Sequence, residues 1–476
     1  MKRKTRMYFI AGVGAVMALG MTITSFAATG WTMENGEWRY YLRDGEAVTD
    51  DWKKSGDNWF YLGDDGRMVK SSLIEDGDDY YYVNSAGARV SNEWRQLPNE
   101  DPDDGELDEV WYYFQSSGKA YKAPNSGKTS FKSIKISSGE TKKYAFNDKG
   151  HMLFGWVNEE SQHVSGDEAW KEGVYYCGEE GDGAMVSQAW RLLEAQDDDN
   201  NDSSYDGQYW FYFQANGKKA ANTKKTINGG KYLFLENGNA QYEWHSTPSD
   251  ASSSASPSDA TENSYYKRPD QCWLATGWFY TVPSEELDPE GYANDESYWF
   301  YGLNGGGVVT SQIKTINGQP YGFDDKGRML YGLYKLEVKD KEILSYEQIE
   351  SESDFPSPDD PREVYYFGDS PKEGVMETGK CNVNLDGERY TYYFNKSGSG
   401  RGAGVNGIYD GAIYEKGRLL TIESGVRYGI IVYDGKEYLV NQSGKIQKNK
   451  KNLKDADGIY YSSDKDGIVT HRGDKE

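Results

Sequence analysis

Apolar residues in this chain come in short bursts rather than long runs. In "GDNWFYLGDDGRMV", residues 56–69, Trp59, Phe60, Tyr61 and Leu62 stand between polar turn segments. A burst of three to five aromatic and aliphatic residues has strand composition. The flanking Gly, Asp and Asn supply the turns, Gly through positive φ and Asp or Asn through hydrogen bonds to their own backbone. Each burst therefore predicts a β-hairpin, in which a short segment such as "RMV" or "ARV" pairs back on the aromatic strand. Along a strand successive side chains point to opposite faces. Trp59 and Tyr61 thus share one face, and Phe60 and Leu62 the other, where Phe60 is expected to be core.

The burst recurs at a fixed distance from its turn glycine. An aromatic residue stands seven places before the glycine in Trp38/Gly45, Trp59/Gly66, Tyr80/Gly87, Trp111/Gly118, Trp210/Gly217 and Trp299/Gly306. Weaker copies carry the aromatic one place later, as in Tyr144 before Gly150, Tyr232 before Gly238 and Tyr321 before Gly327. Successive glycines lie 21 residues apart at 45/66/87, 217/238 and 306/327. A period near 20 residues marks a repeat array. One hairpin is marginal in water, and a repeat unit buries its apolar face only against its neighbours. The expected fold is all-β, an elongated solenoid of stacked β-hairpin repeats in two arrays.

Residues 1–27 break the pattern. A basic "MKRKTR" start, an apolar run over 7–23 and "SFA" before Ala28 read as a secretory signal peptide. An uncleaved N-terminal anchor is the alternative. No other stretch approaches the roughly 20 apolar residues of a membrane helix, so the mature chain is expected outside the cytoplasm with no membrane span. Without the four basic residues of the leader the chain has 49 basic and 77 acidic residues, a net charge of −28. Such a charge opposes nucleic acid and bare anionic lipid as partners.

Composition also divides the chain. The Ser/Pro/Asp-rich stretch at 246–264 reads as a linker or long loop between a first array at 28–245 and a second at 265–476, degenerate after about 330. The acidic stretch "SYEQIESESDFPSPDDPRE" at 345–363 reads the same way. Shorter acidic insertions at 98–109 and 197–207 fall where hairpin loops tolerate length.

With the units aligned, "GW" at 30–31, then "WRYY" at 38–41 and a turn glycine, resembles the cell-wall-binding repeats of Gram-positive surface proteins, of the choline-binding and glucan-binding type. "DW" at 51–52 with "WFYL" at 59–62 is the nearest match. The resemblance implies three-sided aromatic boxes between consecutive hairpins. One is Trp31, Trp38 and Tyr61; the next is Trp52, Trp59 and Tyr82. In later units the corresponding third position holds Ala145, Leu233 or Gly322, so those boxes look incomplete or suited to a sugar. Ring faces suit a quaternary ammonium, because the negative quadrupole needs no hydrogen-bond donor. The same rings also serve as plain packing between hairpins.

Other chemistry finds little support. Cys177, Cys272 and Cys381 form neither a disulfide framework nor a zinc pattern. The four histidines share no metal-ligand spacing, and no nucleophile or metalloprotease motif occurs. "DDDNNDSSYDG" at 197–207 lacks the Gly and Glu of an EF-hand loop. No cofactor, metal or enzymatic activity is expected. The expected function is a secreted, wall-associated, non-catalytic protein that binds teichoic acid choline or other wall glycopolymers. A lectin-like array for wall or host glycans, and an adhesive protein whose rings are all core, are the alternatives. The sequence leaves the oligomeric state open.

Overall fold

The computed structural model describes residues 6–9, 29–99, 107–195, 207–246, 263–268, 270–368, 373–455 and 457–476. The protein is built almost wholly from antiparallel β-hairpins, with two short α-helices among the described residues. It divides into two compact units, one of residues 1–226 with 233–240, the other of residues 227–232 with 241–476.

In the first unit the hairpins include Gly30–Glu34 with Glu37–Tyr41, Asp51–Ser55 with Asn58–Leu62, Ser72–Asp76 with Asp79–Val83, Glu93–Pro98 with Glu109–Phe114, Lys132–Lys135 with Thr141–Tyr144, and Ala189–Glu194 with Gln208–Phe213. The aromatic burst is the second strand, and its full-length partner is the strand before it. This differs from the sequence expectation, in which the segment after the turn glycine was the partner. That segment makes a single bridge to the burst, as in Leu62↔Met68. It then hydrogen-bonds to the hairpin one unit earlier, Met68 N donating to Trp38 O at 2.8 Å. Three residues are too few for a stable ladder, but they suffice to tie one hairpin to the last.

The tie repeats. Arg89 N donates to Trp59 O, Ala120 N to Tyr80 O and Met152 N to Trp111 O, each at 2.8 Å. The core runs through the residue four places before most turn glycines: Leu62, Val83, Phe114 and Phe213 are all 0% exposed. The glycine itself is needed twice over. Gly87 has φ +81°, and a Cβ there would lie 2.9 Å from Met68 Cε, the side chain that reaches forward from the preceding unit.

The second unit keeps the pattern in Gly277–Thr281 with Tyr298–Gly302, and in Gln312–Ile316 with Gln319–Phe323. The latter joins a five-stranded sheet with Glu342–Gln348, Gly332–Lys339 and Glu363–Phe367. The acidic stretch at 345–363 is therefore not a linker. Its first residues are strand, and its charges are paired: Glu347 accepts from Lys335 and Arg362, both at 2.7 Å, and Asp360 accepts from Arg362 at 2.8 Å. Composition alone suggested a loop, while its own Arg362 and the lysines of neighbouring segments, Lys335 and Lys416, order it. Lys416, 4% exposed, completes this cluster by donating to the Asp360 and Arg362 carbonyls.

Strands Glu243–Ser246 and Asn263–Tyr266 pair with each other, so the Ser/Pro-rich stretch joins two strands of one hairpin. Residues 247–262 themselves lie outside the described residues, as do 100–106 and 196–206 of the acidic insertions. Of the leader only Arg6–Phe9 is described, a strand antiparallel to Ser72–Asp76.

Candidate functional site

Each "GW"-type tryptophan begins the first strand of a hairpin and lies directly across from a tyrosine: Trp31 from Tyr40, Trp52 from Tyr61, Trp94 from Tyr113 and Trp278 from Tyr301. Directly opposite residues share a face. The strand tryptophan two places before that tyrosine lies on the same face. Trp31 and Trp38 meet edge to face at 6.5 Å, Trp94 and Trp111 at 6.4 Å, Trp190 and Trp210 at 6.4 Å, and Trp278 and Trp299 at 6.2 Å.

The next hairpin closes the recess with a third ring. For Trp31 that ring is Phe60, at 5.4 Å. Tyr61 is not the third wall. It lies 1% exposed in the next cluster, 5.1 Å from its own hairpin's Trp52, packed with Val69, Ile74, Tyr81 and Val83. For Trp52 the third ring is Tyr81, at 5.2 Å, whereas Tyr82 packs on Phe114 and the Val90 cluster. Both expected third walls are one residue late, and in a strand one residue changes the face. Phe60, expected as plain core, is half-buried and lines the recess.

The same shift completes the later units. Tyr144, not Ala145, lies 4.9 Å from Trp94, and Tyr321, not Gly322, lies 4.8 Å from Trp278. Aromatic cages thus continue past residue 90. The position two places after the turn glycine supplies a fourth contact, through the backbone tie to the strand tryptophan. It is Met68 for Trp38, Met152 for Trp111 and Met329 for Trp299. Methionine sulfur and methyl groups pack well against ring edges. The strand tryptophans stay accessible, Trp59 and Trp299 at 36% each.

The cage of Trp52, Trp59 and Tyr81 differs. Its fourth residue is Arg89, whose Cζ sits 5.4 Å from the Trp52 centroid, 5.4 Å from Trp59 and 5.6 Å from Tyr81. Burial lowers the Arg89 pKa and raises that of Tyr81. The Trp52 indole N–H donates to Asp76 at 3.3 Å.

Three ring faces and a thioether offer electrostatic attraction to a weakly hydrated cation and contain no acid, base or nucleophile. Among the described residues no group of three or more His, Cys, Asp or Glu is placed to hold a metal. No described helix is long and apolar enough to cross a membrane.

Residues 48–94, which contain the Trp52 cage, match the family model of the choline-binding repeat. The choline-binding domain of a Streptococcus pneumoniae protein is 30% identical to this chain, over 95% of that domain and 20% of this chain, with a TM-score of 0.15. The chain is a choline-binding-repeat protein. Further solved structures similar to this choline-binding-repeat protein come from the same organism. The choline-binding domain of CbpL is 24% identical, over 46% of this chain and 89% of that one, with a TM-score of 0.29. The modular autolysin LytC is 17% identical, over 66% of this chain and 56% of that one, with a TM-score of 0.34. The chain thus spans just over half the length of LytC. No curated protein matches it.

Proposed function

We propose that this protein is a secreted, non-catalytic wall-binding protein that holds choline-bearing wall polymers in its aromatic cages. The observation that carries this reading is the recurrence of one constellation, two tryptophans edge to face, a third ring from the next hairpin and a methionine. It occurs at Trp31/Trp38/Phe60/Met68, Trp94/Trp111/Tyr144/Met152 and Trp278/Trp299/Tyr321/Met329. A core made only for packing does not require accessible tryptophan edges.

A trimethylammonium group is weakly hydrated and carries its charge on methyl groups, so it enters such a recess with little desolvation penalty. At about 0.5–2 kcal/mol per ring, one cage gives roughly millimolar affinity. Several cages on one chain, facing a polymer with many choline groups, raise the overall affinity by roughly 10²–10⁴ through effective concentration.

One observation favours a glycan reading instead. A cavity of about 900 Å³ in the first unit is lined by Asn147, His151, Glu160, Gln162 and His163, with Phe154 beside them. Polar side chains beside a ring face suit a sugar. A pull-down on purified wall, eluted in parallel with free choline and with soluble glucan, separates the two. Release by choline alone supports the cages; release by glucan alone overturns that reading.

A further inference from the structure

Arg89 occupies the place that methionine takes in the open cages. Its backbone makes the same tie, N to Trp59 O at 2.8 Å, that Met68 makes to Trp38 and Met152 to Trp111. Its side chain turns into the cage and sets the guanidinium carbon 5.4–5.6 Å from three ring centroids. A cation within about 6 Å of a ring face is a cation–π contact, and here one cation meets three faces at once. The guanidinium is planar and more weakly hydrated than an ammonium, so it suits the recess for the same reasons a quaternary ammonium does. The next turn holds it in place, because Gly118 leaves room for it: a Cβ there would lie 2.4 Å from Arg89 Nε.

A later repeat of the first unit sets a lysine at the same position. Lys219 also stands two places after a turn glycine, Gly217, and is tied back through N to Val174 O. Its ammonium lies 5.4 Å from the Trp156 centroid and donates to the Trp170 and Lys171 carbonyls at 2.6 and 3.0 Å. Two cationic side chains thus stand at one repeat position, Arg89 over three rings and Lys219 over one.

We propose that Arg89 is an internal ligand: its guanidinium fills the Trp52/Trp59/Tyr81 cage and closes it to quaternary ammonium groups. The residue two places after each turn glycine then decides whether a cage is open, as with Met68, Met152 and Met329, or filled by the chain itself. The inference rests on the reading of the open cages as choline sites. It assigns the most regular repeat in the chain to stability rather than to binding, and sets the number of ligands below the number of tryptophan pairs.

The test is a choline titration of the full chain, followed by the indole N–H resonances of tryptophan, in wild type and in Arg89→Met. In the wild type Trp31 and Trp38 respond saturably, and Trp52 and Trp59 do not. Arg89→Met adds one choline per chain, and Trp52 and Trp59 join the response. Met68→Arg, the converse change, silences Trp31 and Trp38. A wild-type response at Trp52 and Trp59 equal to that at Trp31 overturns the proposal, as does Arg89→Met with no added site. If Trp31 and Trp38 do not respond either, the choline reading fails instead. Occupancy is then decided by the Arg89 Nε–H resonance, which ring currents move upfield when the guanidinium is caged and which Trp59→Ala moves back. An Arg89 resonance at its ordinary position refutes the internal ligand.

Discussion

The two tryptophans of a cage carry different burdens, and Trp278 and Trp299 allow the difference to be measured. Trp278 contacts four rings: Trp299 at 6.2 Å, Tyr301 at 5.2 Å, Tyr321 at 4.8 Å and Phe323 at 5.7 Å. Aromatic pairs contribute about 0.5–1.5 kcal/mol each beyond area burial, so four of them come to roughly 2–6 kcal/mol. A large-to-small change of a packed tryptophan costs about 3–5 kcal/mol in all, so these ring contacts make up a large share of it. Trp299 is 36% exposed. It meets Trp278 and Tyr280, the latter itself 59% exposed, so its loss costs about 1–3 kcal/mol. For the ligand the order is not the same. Each ring offers one face, and either truncation removes about 0.5–2 kcal/mol of cation–π attraction, a roughly 2- to 30-fold weakening of that cage. Trp299→Ala should therefore weaken choline binding at this cage while lowering the stability of the second unit by clearly less than Trp278→Ala does. Trp278→Ala should lower the melting transition of that unit strongly. Denaturant melts of both variants, with a choline titration read at the remaining indole, make the comparison. Equal loss of stability in the two variants, or unchanged choline affinity in Trp299→Ala, refutes the division between an inner packing ring and an outer binding ring.

Gly118→Ala places a Cβ 2.4 Å from Arg89 Nε at a backbone φ of +81°. It should destabilise the first unit by about 1–3 kcal/mol and displace the guanidinium, seen as a shift in the Trp52 and Trp59 indole resonances; unchanged resonances contradict the contact. The Arg362 hydrogen bond holds the Asp360 carboxyl down at about 2. An Asp depressed from an unfolded value near 4 contributes stability that is full above about pH 4 and lost as pH falls to about 2. Asp360→Asn should flatten the stability–pH curve of the second unit in that window, and an unaltered curve rules the pair out as a contributor. Cys177 is 0% exposed, with its thiol pushed up to about 12 by burial, and Cys381 is only half-buried. Alkylation of the native protein should modify Cys381 first and leave Cys177 untouched until the first unit unfolds.

Much of the fold was legible because the features that make a hairpin are local. The turn glycines, the aromatic bursts and the period near 20 residues led to stacked β-hairpins without any long-range information. The pairing partner of each burst was not legible, since "RMV" after the turn and "DWKKS" before it are both plausible strands. Only the tie from Met68 to Trp38 separates the two. The third cage wall was missed by one residue for a related reason. A strand as aromatic as "WFYL" gives either face a ring, and Tyr61 looked as suitable as Phe60. The signal was present in the later units. One place earlier, the columns read Phe60, Tyr81, Tyr144 and Tyr321, aromatic every time; the column chosen from the sequence reads Tyr61, Tyr82, Ala145 and Gly322. Arg89 as an occupant was not legible, because sequence does not say whether a half-buried arginine turns outward to solvent or inward onto rings. The acidic stretch at 345–363 was misread as a linker because its order depends, besides its own Arg362, on Lys335 and Lys416, which composition does not connect to it.

The central claim, that accessible tryptophan pairs closed by a third ring and a methionine hold a quaternary ammonium group, is tested most directly by a crystal structure of the full chain at saturating choline. The account predicts trimethylammonium density within van der Waals contact of the rings at Trp31/Trp38/Phe60, Trp94/Trp111/Tyr144 and Trp278/Trp299/Tyr321. Empty cages at saturation, with choline bound elsewhere or not at all, contradict it.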